Sequence, residues 1–305
     1  MNSSANSSAH SVRTRLARIS TERGVDFQQV LTTYGIERLL YRLSISRHAQ
    51  QFILKGATLF TLWEGFPHRQ TRDLDLLGFG DDTVERVEGL FRDIISAAVA
   101  EDGLNFDPKV RGESIRTLQE YGGIRIHLLA RLEKARIVVG VDVGFGDHVI
   151  PLPREVEFPT LLDLPRPRLR AYPVEAVVAE KLQALVNLGL ANSRMKDFFD
   201  LWHISQTMAF EGLELTAAVR GTFQRRNTTL PDSVPLALTQ VFATNPMKES
   251  QWLGFCRKTL GSKEYPRLID VVSRLSEFLL PVLEAAKIEP TKLRRWPAGG
   301  PWEAG

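Results

Sequence analysis

Phe52-Ile53-Leu54-Lys55-Gly56-Ala57-Thr58-Leu59-Phe60 and, a turn later, Arg69-Gln70-Thr71-Arg72-Asp73-Leu74-Asp75-Leu76 decide how this chain is read. The first run is apolar, ends in Lys55-Gly56 and passes into a helical pattern. The second continues through Leu77 and Phe79 and is closed by Gly80-Asp81-Asp82, which predicts a buried strand from Asp73 to Gly80. Residues two apart on a strand share a face, so Asp73 and Asp75 stand side by side. Carboxylates that close repel one another unless a cation lies between them. Mg²⁺ takes oxygen ligands from one or two carboxylates together with substrate phosphates, the arrangement that phosphoryl or nucleotidyl transfer requires. A solvated strand end is the plain alternative for Asp-x-Asp on its own. Coupling to the upstream turn is more specific: Gly56 lets backbone approach a phosphate, and a helix beginning at Ala57 would aim N–H groups at it.

Working outward, residues 12–46 carry apolar positions at helical spacing with a break at Gly24, and Thr83–Ala100 reads as an amphipathic helix with Thr83 as N-cap. Three strands follow, Pro108–Leu118, Gly123–Ala130 and Arg136–Val143; Gly122-Gly123 marks a turn between the first two. The middle one alternates, Ile124-Arg125-Ile126-His127-Leu128, as a strand with one wet face does. The last carries Asp142 alone in an apolar run. Burying a lone carboxylate is costly, so Asp142 requires a partner. That partner is either the Gly144–Gly146 turn or a metal, in which case Asp142 joins Asp73 and Asp75 as a third ligand or accepts a proton from an attacking hydroxyl.

Residues 151–173 hold six prolines and read as an extended link. Arg166, Arg168 and Arg170 alternate along it, either as a solvated edge or as an edge that tracks phosphates. The chain then turns helical from Pro173 to Leu190. Lys181 falls inside the apolar stripe of that helix, so its ammonium either snorkels to an edge or meets an anion. After a turn at Gly189–Ser193, Asp197 likewise falls inside the stripe of the next helix, with Asp200 at its margin. Either the two aspartates stabilise a helix N-terminus, or Lys181 and Asp197 meet or flank a common ligand. Further helices are expected near Thr216–Arg225, Pro235–Phe242, Ser250–Leu260 and Tyr265–Ala286.

The chain has 305 residues, enough for two domains, and one cysteine, Cys256, so no disulfide can form within it. Its polar first residues have no apolar stretch of the signal-peptide kind, and no run approaches membrane-spanning length. A cytoplasmic protein with no membrane partner is expected. The net charge of +3 hides an asymmetry: residues 1–165 carry 20 Lys/Arg against 22 Asp/Glu, residues 166–305 carry 19 against 14. An acidic half suited to metal precedes a basic half suited to polyanions, if it is not simply a solvated face. We expect a leader over residues 1–11, a catalytic domain over 12–165, a helical domain over 166–290 that completes the active site, and a basic tail over 291–305.

Lys55-Gly56-Ala57-Thr58 followed by Thr71-Arg72-Asp73-Leu74-Asp75 resembles the polymerase-β-like nucleotidyltransferase superfamily. Within it, the addition of Glu180-Lys181 and Arg194-x-Lys196-Asp197-x-x-Asp200-Leu201 is similar to the AbiEii/MenT toxins of bacterial toxin–antitoxin systems. The resemblance covers roughly residues 50–205. It implies an α/β (α+β) fold, a mixed sheet flanked by helices and followed by an α-helical domain. It also implies transfer of a nucleotide from an NTP to the 3′ end of tRNA with Mg²⁺ or Mn²⁺, and neutralisation by a cognate antitoxin. Asp73, Asp75 and Asp142 would hold metal. Lys55, Gly56 and Thr58 would cradle the triphosphate with Thr71, Lys196 and Asp200 nearby, Lys181 would neutralise its charge, and Asp197 would position Lys181 or the nucleoside. Arg69 and Arg72 are either phosphate contacts or solvated. Many superfamily members have Gly-Ser where this chain has Gly56-Ala57, so a hydroxyl contact falls to Thr58 or Thr71. Thr71 also lies where some relatives carry a modifiable serine. Other acceptors, a kinase-like phosphotransferase and a non-catalytic RNA- or partner-binding protein are the competing readings.

Overall fold

The computed structural model describes residues 2–65, 69, 71, 73–115, 122–147, 149–260, 264–288 and 294–303, with backbone alone over residues 2–7. They form two compact units: Met1–Asp147 with Arg154–Tyr172, and His148–Pro153 with Pro173–Gly305.

The first unit is built on an eight-stranded mixed sheet. Its strands are β1 (Phe52–Lys55), β2 (Asp73–Gly78), β3 (Asn105–Phe106), β4 (Arg111–Ile115), β5 (Gly123–Leu132), β6 (Ala135–Phe145), β7 (Arg154–Glu157) and β8 (Arg168–Ala171). The order across the sheet is β3-β5-β6-β2-β1-β8-β7, with β4 also paired to β5. β2 runs antiparallel to β1 and parallel to β6. Alternation along each strand sorts the two faces. Leu74 and Leu76 of β2, Ile137, Val139, Val141 and Val143 of β6, and Ile124, Ile126 and Leu128 of β5 are all buried. Helices α1 (Asn2–Arg23), α2 (Phe27–Ile45) and α4 (Val84–Ile95) belong to the same unit, and α2 packs on β6. The intervening residues point to the other face, where the polar groups gather.

Gly24 separates α1 from α2 as expected, and Asp26 caps α2 by accepting the N–H of Gln29 at 3.1 Å. α1 begins at Asn2, inside the stretch read as a leader. α4 stops at Ile95, short of Ala100, and the Thr83 hydroxyl turns to Asp81 instead of capping the helix. The proline-rich link is a correction. It contains β7 and β8, which pair with each other and extend the sheet beyond β1. The six prolines all fall outside the two strands, so no ladder N–H is lost to them.

The second unit is helical: α5 (Val174–Leu188), α6 (Met195–Thr207), α7 (Gly212–Arg225), α8 (Gln240–Ala243), α9 (Pro246–Leu260) and α10 (Leu268–Lys287). The helix expected over Pro235–Phe242 is broken into a 3-10 turn at Leu236–Leu238 and the short α8. α10 packs on α6 and α7 with Val271, Leu275 and Phe278 buried. Cys256 is buried, and burial pushes its thiol up to about 11, so it packs as a small apolar group. The tail is a second correction. Arg295–Trp296 forms β10, which pairs with β9 (Phe210–Glu211). Trp296 is wholly buried, its indole N–H donating to the Ser205 carbonyl at 2.9 Å and its ring 4.8 Å from that of Phe278.

Candidate active site

Register across three strands assembles the first cluster. Lys55 of β1 lies opposite Asp75 of β2, Asp75 lies opposite Asp142 of β6, and Asp142 lies opposite Arg125 of β5. Asp73 is two residues from Asp75 on the same strand and lies opposite Gly140. Paired residues share a face, so Lys55, Asp73, Asp75, Asp142 and Arg125 stand together on the face opposite the buried leucines and valines.

Two glycines make room for the carboxylates. Gly56 sits at φ +74, and a Cβ there would collide with the carboxylate of Asp75. A Cβ at Gly140 would collide with the carboxylate of Asp73. Gly56 is therefore required twice, by its left-handed backbone and by the approach of Asp75. The turn serves the carboxylate of Asp75, a requirement not evident from the sequence.

Cations are distributed unevenly over the cluster. Arg125 grips Asp142 through two parallel bonds of 2.6 Å, Nε to Oδ1 and Nη2 to Oδ2, and that Nη2 lies 3.7 Å from Asp73 Oδ2. The bond to Asp142, with the nearby charges of Asp142 and Asp73 added, holds the guanidinium even further above its ordinary range. Lys55 Nζ donates to Asp147 Oδ2 at 2.9 Å and lies 5.5 Å from the ring centre of Tyr172. Asp142 thus reaches the face expected of it, with both oxygens bonded to Arg125. No group of three or more acidic, histidine or cysteine side chains that could hold a metal occurs among the described residues. Asp73 and Asp75 alone fit the smaller requirement of Mg²⁺, one or two carboxylates plus oxygens from the substrate. Arg125 and Asp147 escaped sequence reading. The alternation that places Arg125 on the wet face of β5 was the available signal.

The threonines lie elsewhere. Thr58 begins α3 (Thr58–Glu64) and is buried, lining a cavity of about 10 Å³ with Gln29, Thr33, Thr61 and Thr71. Its hydroxyl has no partner among the described residues. Thr71 donates to the Asp73 carbonyl at 3.2 Å. The first turn of α3 is already bonded, Leu59 N–H to Gly56 O and Phe60 N–H to Ala57 O. Arg69 is half-buried, and Arg72 lies outside the described residues.

A second cluster lies within the helical unit. Lys181 of α5 donates to Asp197 Oδ1 at 2.7 Å and to Asp200 Oδ2 at 2.8 Å, both on α6. Asp197 and Asp200 are wholly buried, while the Lys181 side chain keeps 13% exposure. Arg194 Nε lies 2.6 Å from Asp197 Oδ2, an ion-pair contact without hydrogen-bond alignment. Burial opposes charge on Asp197, but Lys181 and Arg194 outweigh it and hold the carboxyl below its ordinary range. Burial likewise opposes charge on Lys181, and the two aspartates more than restore it, leaving the ammonium above its ordinary range. The meeting of Lys181 and Asp197 read from helical spacing is what the structure contains. Lys196 points to solvent.

Two Helicobacter pylori structures are similar to this chain: JHP933, at 13% identity and TM-score 0.47 over 82% of this chain and 90% of that one, and a provisionally assigned nucleotidyltransferase, at 14% and 0.47 over 82% and 92%. Among curated proteins none matches. The family profile described as nucleotidyl transferase AbiEii toxin, type IV toxin–antitoxin system, matches residues 38–274. That span takes in both clusters, and the chain belongs to the AbiEii family of nucleotidyltransferase toxins.

Proposed function

We propose that this nucleotidyltransferase moves a nucleoside monophosphate from an NTP to the 3′ hydroxyl of an RNA, with tRNA as the acceptor class, and that a cognate antitoxin neutralises it in the cytoplasm. The observation that carries the reading is the pair Asp73 and Asp75 on one sheet face, each with a glycine cleared beside its carboxylate. These two would hold Mg²⁺ or Mn²⁺, which supplies charge neutralisation at the α-phosphate and lowers the pKa of an attacking hydroxyl. In the transfer the RNA 3′ oxygen bonds to the α-phosphorus, and the bond from that phosphorus to the β-bridging oxygen breaks. Pyrophosphate leaves with the electron pair, and the hydroxyl proton passes to solvent.

The chain's own residues bind and orient. Lys55, at the end of β1 beside Asp75, is suited to the β- and γ-phosphates once it exchanges Asp147 for them. Lys181 offers a third ammonium N–H beyond its two aspartate bonds, which suits an anion such as a phosphate oxygen. Asp197 and Asp200 then act as positioning residues, keeping that ammonium charged and aimed.

The test is incubation with Mg²⁺, total tRNA and each of the four NTPs labelled at the α-phosphate. Label should appear on tRNA 3′ ends with release of pyrophosphate, and should disappear in Asp75→Asn. Transfer of γ-label alone, or α-label on protein or a small molecule, would overturn the proposal.

A further inference from the structure

The carboxylate pair is one end of a longer surface. Following β5 and β6 away from it, the outward positions are Arg125 and Asp142, then His127 and Gly140, then Leu129 and Val138, then Arg131 and Arg136. β4 adds Arg111 beside His127 and Glu113 beside Arg125. Arg111, His127, Arg131, Arg136 and Val138 are exposed, Val138 at 61%.

Three features of this strip are unusual for a solvated sheet face. Arg131 and Arg136 are cross-strand partners, and like charges placed opposite each other cost stability. Neither they nor Arg111 form an ion pair with a described residue, and the exposed Lys134 in the turn joining the strands adds a further cation. Between the arginine pair and the carboxylates lie the exposed Val138 and the half-buried Leu129, a low apolar step. Of the acids alongside, Glu113 is held by His127 at 3.0 Å, Asp107 accepts the Lys109 N–H at 2.9 Å, and Glu133 in the turn faces His10 and Arg13.

We infer that this strip is the track for the acceptor RNA: the backbone phosphates lie over Arg131, Arg136 and Arg111, a ribose or base rests on Val138, and the 3′ end reaches Asp73 and Asp75. The inference rests on the reading of RNA as acceptor. Charge decides the occupant, since a run of cations without acidic partners suits a polyanion. Length agrees: four residues of strand at about 3.3 Å each separate Arg136 from Gly140, roughly 13 Å, a few unpaired nucleotides. Arginine guanidinium planes are among the surfaces on which proteins stack the bases of single-stranded ends.

The test measures binding of a 5′-fluorescein RNA hairpin with a four-nucleotide 3′ tail to the full chain carrying Asp75→Asn, which separates binding from turnover. Arg131→Gln with Arg136→Gln should weaken binding about tenfold near 0.1 M salt and flatten the slope of log affinity against log salt by between one and two. Arg131→Lys with Arg136→Lys should keep most of the affinity, Val138→Asp should reduce it, and NTP binding should not change in any of them. Arg166→Gln with Arg168→Gln, which removes cations already paired with Glu157, should leave RNA affinity as it was. Unchanged affinity and slope in the Arg131/Arg136 double variant would overturn the track; if antitoxin neutralisation were lost instead, the strip would belong to a protein partner. RNA bound through the strip but never labelled would leave the track standing and remove the proposed transfer. Labelling indifferent to the strip would do the reverse.

Discussion

Asp197 and Asp200 are wholly buried and share one lysine at 2.7 and 2.8 Å, whereas the Asp73 side chain is 48% exposed and lies 3.7 Å from Arg125 Nη2. Both clusters place carboxylates two or three residues apart on one element, yet their physics differs. In the helical unit, burying two carboxylates is tolerable only with the cation and its hydrogen bonds in place. On the sheet face, solvent shares the charge of Asp73, so it can exchange partners during a reaction. An aspartate that arrives paired is an organising group, and one left half in water, as Asp73 is, keeps an oxygen within reach of solvent.

The sharpest way to break this contrast is to neutralise each cluster in turn. Asp73→Asn or Asp75→Asn should lower nucleotide transfer by about a thousandfold or more, near 4 kcal/mol of barrier. For Asp73→Asn the melting temperature should hold, since that side chain is 48% exposed. Labelled-NTP turnover beside a thermal melt reads both. Transfer retained within tenfold would mean that the sheet face is not where chemistry occurs.

Lys181→Met should do its damage in the other measurement. It strands two buried carboxylates, a change that typically costs about 3–5 kcal/mol of stability, visible as a lower denaturant midpoint. Lys181→Met combined with Asp197→Asn and Asp200→Asn should regain much of that stability without regaining activity, because the buried charges go but no ammonium returns. If the single variant were as stable as the parent, the cluster would not be the organising element described.

Much of this was legible in the sequence because it depends on local periodicity. Asp73 and Asp75 share a face whatever β2 pairs with, and Lys181 and Asp197 fall inside apolar stripes whatever the tertiary fold. What escaped depends on pairing. The claim of Arg125 on Asp142 follows from the register of β5 and β6, which the two-residue turn Glu133-Lys134 sets by placing Leu132 opposite Ala135. Counting back from that turn pairs 125 with 142, but only once the hairpin is recognised. Arg166 and Arg168 looked like a free cationic edge, and their partner Glu157 came into reach only because the proline-rich link folds into β7 and β8. Trp296 was read as a tail residue because nothing nearby in sequence shows that β9 will pair with it. Thr58 needed the rotational phase of a helix under two turns long, which periodicity over seven residues does not fix.

The smallest effect expected is an absence of titration, and its sign follows from the geometry. The carboxyl of Asp197 lies below its ordinary value of 3.8, so the folded state binds its proton less readily than the unfolded chain does. Its contribution to stability is complete above that value and fades only as pH falls through the lowered one. Lys181 lies above its ordinary 10.5, so its contribution is complete below that value and fades only as pH rises through the raised one. Between about pH 5 and 9 neither group should change charge, and carbon-detected NMR of the Asp197 carboxyl and Lys181 Cε should show flat shifts across that range. A midpoint for Asp197 between pH 5 and 7 would mean that burial outweighs the lysine, contrary to the paired arrangement. With flat shifts, the helical cluster itself contributes no pH dependence of transfer near neutrality. The helical cluster is then a fixed set of charges across the neutral range.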